Sequence, residues 1–190
     1  MISLTNSRNS LTTKLSTWLN LLALFAICGS LLAAFYYQIA FNELPCPLCQ
    51  LQRVALTLAG IGMMLNIRFG ASNIHYAMIL ASALVGAATS MRQVLLHITP
   101  GDPGYGSALF GLHFYTWGFI SFVVTIAFCG LMLCIDRHPA RPTERNTLGA
   151  IAGSVIILFL ILAVANTISS VMVCQFGACP DNPTQYLWKF

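Results

Sequence analysis

The feature that most limits the fold of this chain is a series of long apolar segments with almost no charge. Hydrophobic residues make up 57% of its 190 residues and charged residues 7%. A helix needs about 20 mainly apolar residues to cross a bilayer. Five segments qualify, at about residues 17–40, 47–67, 74–98, 113–135 and 148–173. The composition therefore predicts an all-α, polytopic membrane bundle, a single integral membrane domain over residues 1–190 with no nucleic-acid patch.

Basic residues set the expected orientation of these helices, because cytoplasmic loops carry the excess of Lys and Arg. With a cytoplasmic N-terminus, six of the nine basic residues fall on the cytoplasmic side: Arg8, Lys14, Arg68, Arg137, Arg141 and Arg145. Lys189 falls outside, while Arg53 and Arg92 lie in or near helix ends toward the outer face. The odd number of spans then places the C-terminus outside.

Four of the seven cysteines fall on that outer side. Cys46 and Cys49 form a C-x-x-C pair at the start of the second segment, and Cys174 and Cys179 follow the fifth. A C-x-x-C at a helix N-terminus favours redox exchange, because the helix dipole stabilises a thiolate. At the bilayer edge, such a dithiol can meet both a lipid-soluble carrier and a water-soluble protein. The other three are expected to be small buried hydrophobes within apolar segments: Cys28, Cys129 and Cys134.

Three other chemistries compete for the outer cysteines. A fixed structural disulfide at Cys46 and Cys49 would close too small a loop to add much stability. Two cysteine pairs have the spacing of a zinc site, but no flanking His or carboxylate cluster accompanies them, and we predict no metal. Covalent c-type haem attachment is excluded, because Gln50 follows Cys49 where a His is required. A noncatalytic assembly factor or chaperone, with redox-inert or metal-binding cysteines, is the alternative function.

Arg53 strengthens the redox interpretation. It lies four residues beyond Cys49, on nearly the same helical face and about 6 Å deeper by the helical rise. Ionisable side chains within membrane segments are costly and indicate function by default. This one could stabilise a thiolate, or the negative charge that develops on a quinone oxygen. Snorkelling of the side chain to lipid headgroups is the competing interpretation.

These residues resemble a known family. Residues 35–65, with C-P-L-C-Q-L-Q-R at 46–53, resemble the disulfide bond formation protein B (DsbB) family of membrane oxidases. R-Q-V-L-L-H at 92–97 is similar to the family's Arg-x-Val stretch, and G-L-H-F-Y-T-W at 111–117 to the start of its fourth helix. The similarity covers roughly residues 17–136 and is strongest at the C-x-x-C-x-x-x-Arg motif.

The resemblance implies a four-helix DsbB-like core over about residues 17–136 that binds a quinone, either ubiquinone or menaquinone, near the C-x-x-C. By the resemblance, Cys49 would react with the quinone and Cys46 would exchange with a second cysteine pair. Arg53 matches the family's quinone-site arginine, and His97 matches a polar residue near the quinone. Both are therefore expected to bind the cofactor.

The chain departs from the family pattern in its second cysteine pair. The family carries that pair in the loop between helices three and four, whereas residues 99–112 contain no cysteine. Cys174 and Cys179 lie in the outer C-terminal segment, which a fifth helix carries outward over about residues 148–190. Their expected catalytic role rests on sidedness and thiol chemistry, and the resemblance does not transfer it.

The expected function is that of a thiol:quinone oxidoreductase supporting disulfide bond formation. It would reoxidise a DsbA-like periplasmic thiol oxidase of thioredoxin fold and pass electrons to the respiratory quinone pool. The expected location is the bacterial inner membrane, with a cytoplasmic N-terminus and a periplasmic C-terminus. Vitamin K epoxide reductase relatives couple the same chemistry, but their loop pair precedes the C-x-x-C, and here the C-x-x-C comes first.

Overall fold

Five long helices form most of the structure. A computed structural model describes residues 2–136, 149–175, 177 and 179–188, with side chains from residue 11 onward. The helices are α1 (Ile2–Ala40), α2 (Pro47–Phe69), α3 (Asn73–Leu96), α4 (Phe114–Ile135) and α5 (Gly149–Cys174). Each contains a segment long and apolar enough to cross a membrane, which in α1 is Leu11–Ala40. The chain is therefore a multi-pass helical membrane protein, as its composition predicts.

The predicted spans agree with the helices to within a few residues, except that α1 continues much further toward the N-terminus. Several residues used to predict orientation lie outside the described part: Arg137, Arg141, Arg145, Lys189 and the side chain of Arg8. Two of the three remaining cysteines, Cys28 and Cys129, are buried as expected, whereas Cys134 is exposed on the surface of the bundle.

The predicted start of α2 at the C-x-x-C is confirmed, and the motif itself begins the helix. Cys46 is the N-cap in extended conformation, and its sulfur accepts a hydrogen bond from the Cys49 N–H at 3.1 Å. Pro47 follows at the first helical position, where its fixed φ and missing N–H are no disadvantage. The local sequence thus places both sulfurs at the N-terminal end of a membrane helix.

Glycines allow the helices to pack closely. The ring of Phe122 on α4 fills the space that a Cβ on Gly86 of α3 would need. On the other side of the bundle, Phe159 of α5 packs in the same way on Gly60 of α2. Helix α5 packs against α1 and α2, so the bundle of α1 to α4 carries the fifth helix on one face.

A buried polar network joins helices at the end of the bundle opposite the C-x-x-C. Ser16 and Tyr76 both donate hydrogen bonds of 2.7 Å to the Asp136 carboxylate. Asn20 donates to the Tyr76 hydroxyl at 3.0 Å and accepts from Asn66 at 3.0 Å. Because these residues come from α1, α2, α3 and the end of α4, the network fixes the helices relative to one another.

A short hairpin, which sequence analysis did not predict, precedes α4. Strand β1 (Ala108–Leu109) pairs antiparallel with β2 (Leu112–His113). The two residues between them, Phe110 and Gly111, have φ angles of 51° and 79°. Left-handed conformation at both central positions is the geometry of a tight two-residue hairpin turn. This turn directs the loop back over the end of the bundle that holds the C-x-x-C.

Candidate functional site

The four cysteines of the two predicted pairs form two separate disulfides. Cys46 bonds to Cys49 with their Cα atoms 5.0 Å apart, and Cys174 bonds to Cys179 with a Cα separation of 4.4 Å. Cys46 is only 6% exposed, whereas the other three cysteines are partly exposed. Each pair therefore bonds within itself rather than joining the other at a shared centre.

A cavity of about 450 Å³ opens beside the first disulfide. Its walls come from α1, α2, α3 and α4, and the segments before α2 and α4 contribute to it. Cys49, Gln52 and Arg53 line it on the α2 side, and most of the remaining wall is apolar or aromatic. A largely apolar cavity of this size with a few polar groups is typical of small-ligand sites.

Arg53 is buried at the edge of this cavity and is held by neutral acceptors. Its guanidinium donates to the Gln38 Oε1 at 2.6 Å and to the Ala34 carbonyl at 3.2 Å. The Phe35 ring centroid lies 5.5 Å from the central carbon of the guanidinium. No carboxylate lies within ion-pair distance of Arg53 among the described residues. With the side chain only 8% exposed, the charge is kept inside the protein, against the snorkelling interpretation.

A buried glutamine contacts both sulfurs of the C-x-x-C. The Gln93 Nε2 lies 3.4 Å from the Cys46 sulfur and 3.6 Å from the Cys49 sulfur. Its Oε1 accepts a hydrogen bond of 2.9 Å from Gln52, which directs the amide nitrogen toward the disulfide. Gln93 is 2% exposed. An amide N–H is thus ready to donate to sulfur where a thiolate would form.

The loop before α4 covers the chain segment that leads into Cys46. The Tyr105 hydroxyl donates to the Leu44 carbonyl at 2.6 Å, and the Ser107 N–H donates to the Glu43 carboxylate at 3.1 Å. Burial, and to a lesser extent the Glu43 charge, raises the pKa of the Tyr105 phenol, so its hydroxyl keeps its proton and donates. Tyr105 also lines the cavity, and the loop therefore closes over the site.

His97 lies behind Tyr115, a residue of the cavity wall. It caps the end of α3, and its Nδ1 lies 3.2 Å from the Asp102 carboxylate. The Gly104 N–H and His97 both hydrogen-bond this carboxylate and lower the pKa of Asp102. The His97 ring stacks on Tyr115 with centroids 5.6 Å apart, and His113 stacks on Tyr115 as well, at 5.3 Å. Tyr115 lines the cavity and His97 does not.

Helix α5 is hydrogen-bonded to α1 and α2, two of the helices that form the site. Its Ser170 hydroxyl donates to the Gln50 Oε1 on α2 at 2.7 Å. The neighbouring Ser169 hydroxyl accepts from the Gln38 Nε2 on α1 at 2.8 Å. Gln50 is the residue after Cys49, and Cys174 lies four residues beyond Ser170, or about one helical turn. Both disulfides therefore lie at the same end of the bundle.

The segment after the second disulfide folds back along α5. The backbone N–H groups of Leu187 and Trp188 both donate to the Met172 carbonyl, at 3.1 and 3.2 Å. This return places the Tyr186 hydroxyl 2.9 Å from the Gln38 Nε2. The C-terminal segment thus reaches a side chain that itself holds Arg53.

The structure brings together Cys46, Cys49 and Arg53 as sequence analysis predicted. It also adds four polar side chains that sequence analysis did not identify, namely Gln38, Gln52, Gln93 and Tyr186. A signal for the glutamines was present, because polar side chains in membrane segments turn inward and usually have a role. The hydrogen-bond partners of these glutamines lie far away in the sequence, and no local sequence pattern identifies them.

The similarity to known proteins covers most of α1 and all of α2 and α3. Residues 16–107 match the family model described as disulfide bond formation protein DsbB. The relatives named disulfide bond formation protein B include one from Pseudomonas syringae pv. tomato, 42% identical over 87 residues, which are 43% of this chain and 51% of the relative. One from Burkholderia thailandensis is 38% identical over 99 residues, 49% of this chain and 58% of the relative.

The chain spans about half the length of the curated relatives it matches. A third relative of the same name, from Hahella chejuensis, is 34% identical over 94 residues, covering 46% of this chain and 57% of the relative. No solved structure matches the chain. The family match includes the first disulfide, Arg53, Gln93 and the loop that covers Cys46. Over residues 16–107, this chain is therefore similar to the disulfide bond formation protein B family.

Proposed function

We propose that this protein is a membrane thiol:quinone oxidoreductase that generates disulfides. It takes electrons from a DsbA-like thiol oxidase outside the cytoplasmic membrane and delivers them to a membrane quinone, ubiquinone or menaquinone. The observation that carries the proposal is the position of Cys49, which is disulfide-bonded and lines a largely apolar cavity together with Arg53. The family match over residues 16–107 supports the same chemistry.

The cavity fits the chemical character of a quinone. A quinone presents a flat apolar ring with carbonyl oxygens at its edge, and when bound it accepts two electrons and two protons. Tyr115, Trp117 and Phe122 supply aromatic wall, while Arg53 supplies hydrogen-bond donors at the edge. Only two acceptors among the described residues take hydrogen bonds from the guanidinium, which has five N–H groups. Donors therefore remain for a ligand carbonyl, where they stabilise developing negative charge.

Electrons enter, in this proposal, through the second disulfide. A thiolate of the reduced partner attacks the Cys174–Cys179 disulfide and forms a mixed disulfide. The partner's second thiol resolves that bond, so the partner leaves oxidised and the protein holds a dithiol at 174 and 179. That dithiol then reduces the Cys46–Cys49 disulfide by the same exchange, and its own disulfide forms again. The partly exposed second pair is the easier one for a protein to reach.

The last step occurs at the cavity. Reduction leaves thiols at Cys46 and Cys49, and Cys49 lines the cavity together with Arg53, where the quinone would bind. Two electrons leave the pair, two protons leave with them, and the Cys46–Cys49 disulfide closes again. Each cycle therefore converts one dithiol of the partner to a disulfide and one quinone to a quinol.

The orientation follows from the distribution of basic residues. With a cytoplasmic N-terminus, both disulfides face the periplasm of a bacterial inner membrane, where disulfides form and persist. A noncatalytic assembly factor would have no use for a cysteine pair that opens on a cavity. The oxidoreductase therefore accounts for more of the site than the alternative does.

The test is quinone reduction by the purified protein in detergent. Electrons are supplied either by a reduced DsbA-like oxidase or by dithiothreitol, and the wild type is compared with Cys49→Ser. We expect turnover in the wild type and none in the variant with either donor. Cys134→Ser is the matched control, because Cys134 is an exposed free cysteine, and its turnover is expected to equal that of the wild type. A wild type inactive with both donors and both quinones would refute the proposal.

A further inference from the structure

The fifth helix contributes no residue to the cavity wall, yet it is joined to the site by hydrogen bonds. Ser169 contacts Gln38 on α1, and Tyr186, from the segment after α5, contacts the same amide. Both partners are far from Gln38 in sequence, Ser169 by 131 residues and Tyr186 by 148. Such contacts exist only in the assembled bundle.

The direction of these hydrogen bonds is fixed by Arg53. A guanidinium can donate but cannot accept, so the oxygen of the Gln38 amide must face it, at 2.6 Å. The amide nitrogen must then face away, toward the two hydroxyl oxygens of Ser169 and Tyr186, at 2.8 and 2.9 Å. The hydroxyls therefore accept from Gln38, and every polar atom of this amide has a partner.

The consequence for Arg53 follows from its surroundings. Gln38 provides the shorter of the two hydrogen bonds to the guanidinium among the described residues. Gln38 is itself 3% exposed and Ser169 7%, so water is not at hand to replace the Ser169 hydroxyl. Without the two hydroxyls, the buried amide nitrogen of Gln38 would have no acceptor in the position that serves Arg53, and a buried donor without a partner is costly. The amide would then lose free energy in that position, and a shift toward another acceptor would weaken its hydrogen bond to Arg53.

We propose that Gln38 is a positioning residue for Arg53 and that Ser169 and Tyr186 keep its oxygen directed at the guanidinium. Helix α5 and the folded-back segment thereby complete the quinone end of the site without touching the quinone. This inference rests on the proposed function, because it assigns Arg53 to the quinone. Ser169 and Tyr186 lie beyond residue 107, outside the family match that contains Gln38 and Arg53.

The experiment uses the full chain and dithiothreitol as donor, which removes any need for a protein partner. The double variant S169A/Y186F is compared with the wild type, with a short-chain ubiquinone analogue as acceptor. We expect the KM for the quinone to rise about tenfold, the scale of one lost hydrogen bond to a charged group. The rate at which dithiothreitol reduces the Cys46–Cys49 disulfide without quinone is expected to stay unchanged, which a general loss of structure would not allow.

Two further variants make the result specific. Y36F is the matched control, since Tyr36 lies on the same helix end, is 61% exposed and is expected to give the wild-type KM. Q38E, added to S169A/Y186F, is the rescue, because a carboxylate has no N–H group that needs a hydroxyl acceptor and both of its oxygens accept from Arg53. We expect the KM to fall from its raised value toward that of the wild type without reaching it, because the carboxylate also offsets part of the Arg53 charge.

The outcomes separate this inference from the proposed function. A wild type that reduces no quinone refutes the function and this inference with it. An active wild type whose KM is unchanged in S169A/Y186F overturns the positioning role alone. A raised KM that Q38E fails to lower also overturns it, because the defect would then not lie in the orientation of the amide.

Discussion

The two disulfides lie at the same end of the bundle in opposite kinds of surroundings. The Cys46–Cys49 pair starts a membrane helix, lies under a closed loop and contacts a buried amide donor. The Cys174–Cys179 pair follows the end of a membrane helix and closes a short ring in the C-terminal segment. A helix N-terminus stabilises a thiolate, whereas a C-terminus does not. The difference agrees with the order of the proposed function, in which the second pair passes electrons to the first.

The largest expected effect on turnover comes from removing the second pair, Cys174 and Cys179. In the variant C174S/C179S, we expect turnover with the reduced DsbA-like oxidase to stop, because the pair that a protein can reach is gone. Turnover with dithiothreitol is expected to continue, because the small dithiol can reduce Cys46–Cys49 directly. Quinone reduction measured with each donor checks this. Loss of both activities, or of neither, would contradict the proposed order of exchange.

A second test changes the first pair alone, through Gln93. Replacing Gln93 by Leu removes the N–H that faces both sulfurs while keeping similar volume. A thiolate is a better acceptor than a disulfide sulfur, so the reduced form loses more stabilisation. We expect the exchange equilibrium of Cys46–Cys49 with glutathione to shift about tenfold toward the disulfide, on the scale of a hydrogen bond to a charged group.

The readout for Gln93→Leu is alkylation of each pair after equilibration with glutathione buffers, resolved by mass spectrometry. The Cys174–Cys179 equilibrium is expected to stay at its wild-type value in the same samples. Ser82→Ala is the matched control on α3, because Ser82 is buried and bonds only to the Met78 carbonyl of its own helix. Equal shifts in both pairs would show that the change is not local to the sulfurs.

The smallest expected effect concerns the cover over the first pair. Tyr105→Phe removes the hydrogen bond to the Leu44 carbonyl and loosens the loop over Cys46. We expect dithiothreitol to reduce Cys46–Cys49 about threefold faster, as suits one neutral hydrogen bond, with no change at Cys174–Cys179. Stopped reactions quantified by alkylation measure both rates. A Tyr36→Phe variant with the same acceleration would show that the cover is not the cause.

Sequence analysis predicted the parts of this molecule that depend on local pattern. Five apolar segments predicted five helices, and Cys46 followed by Pro47 marked the start of α2. The spacing of four residues correctly placed Arg53 on the same side of α2 as Cys49, and both line the cavity. These features need only the helical repeat and the length of a bilayer crossing.

The remaining features depend on which helices meet. Gln93 could be recognised as a polar residue in an apolar segment, but its contact with sulfur follows from the packing of α3 on α2. His97, which is predicted to bind the cofactor, stacks on Tyr115 of the cavity wall and does not itself line the cavity. Its role in binding stays a prediction. Such offsets of one side-chain layer cannot be deduced from spacing along the chain.

The hydrogen bonds from α5 also have a consequence for how the protein is made. Helix α5 follows α1 and α2 in the chain, so Gln38 and Gln50 are synthesised before their partners Ser169 and Ser170. Until α5 packs against the bundle, the two amides lack these partners in a solvent that offers none. Assembly of α5 is thus a step in the maturation of the site.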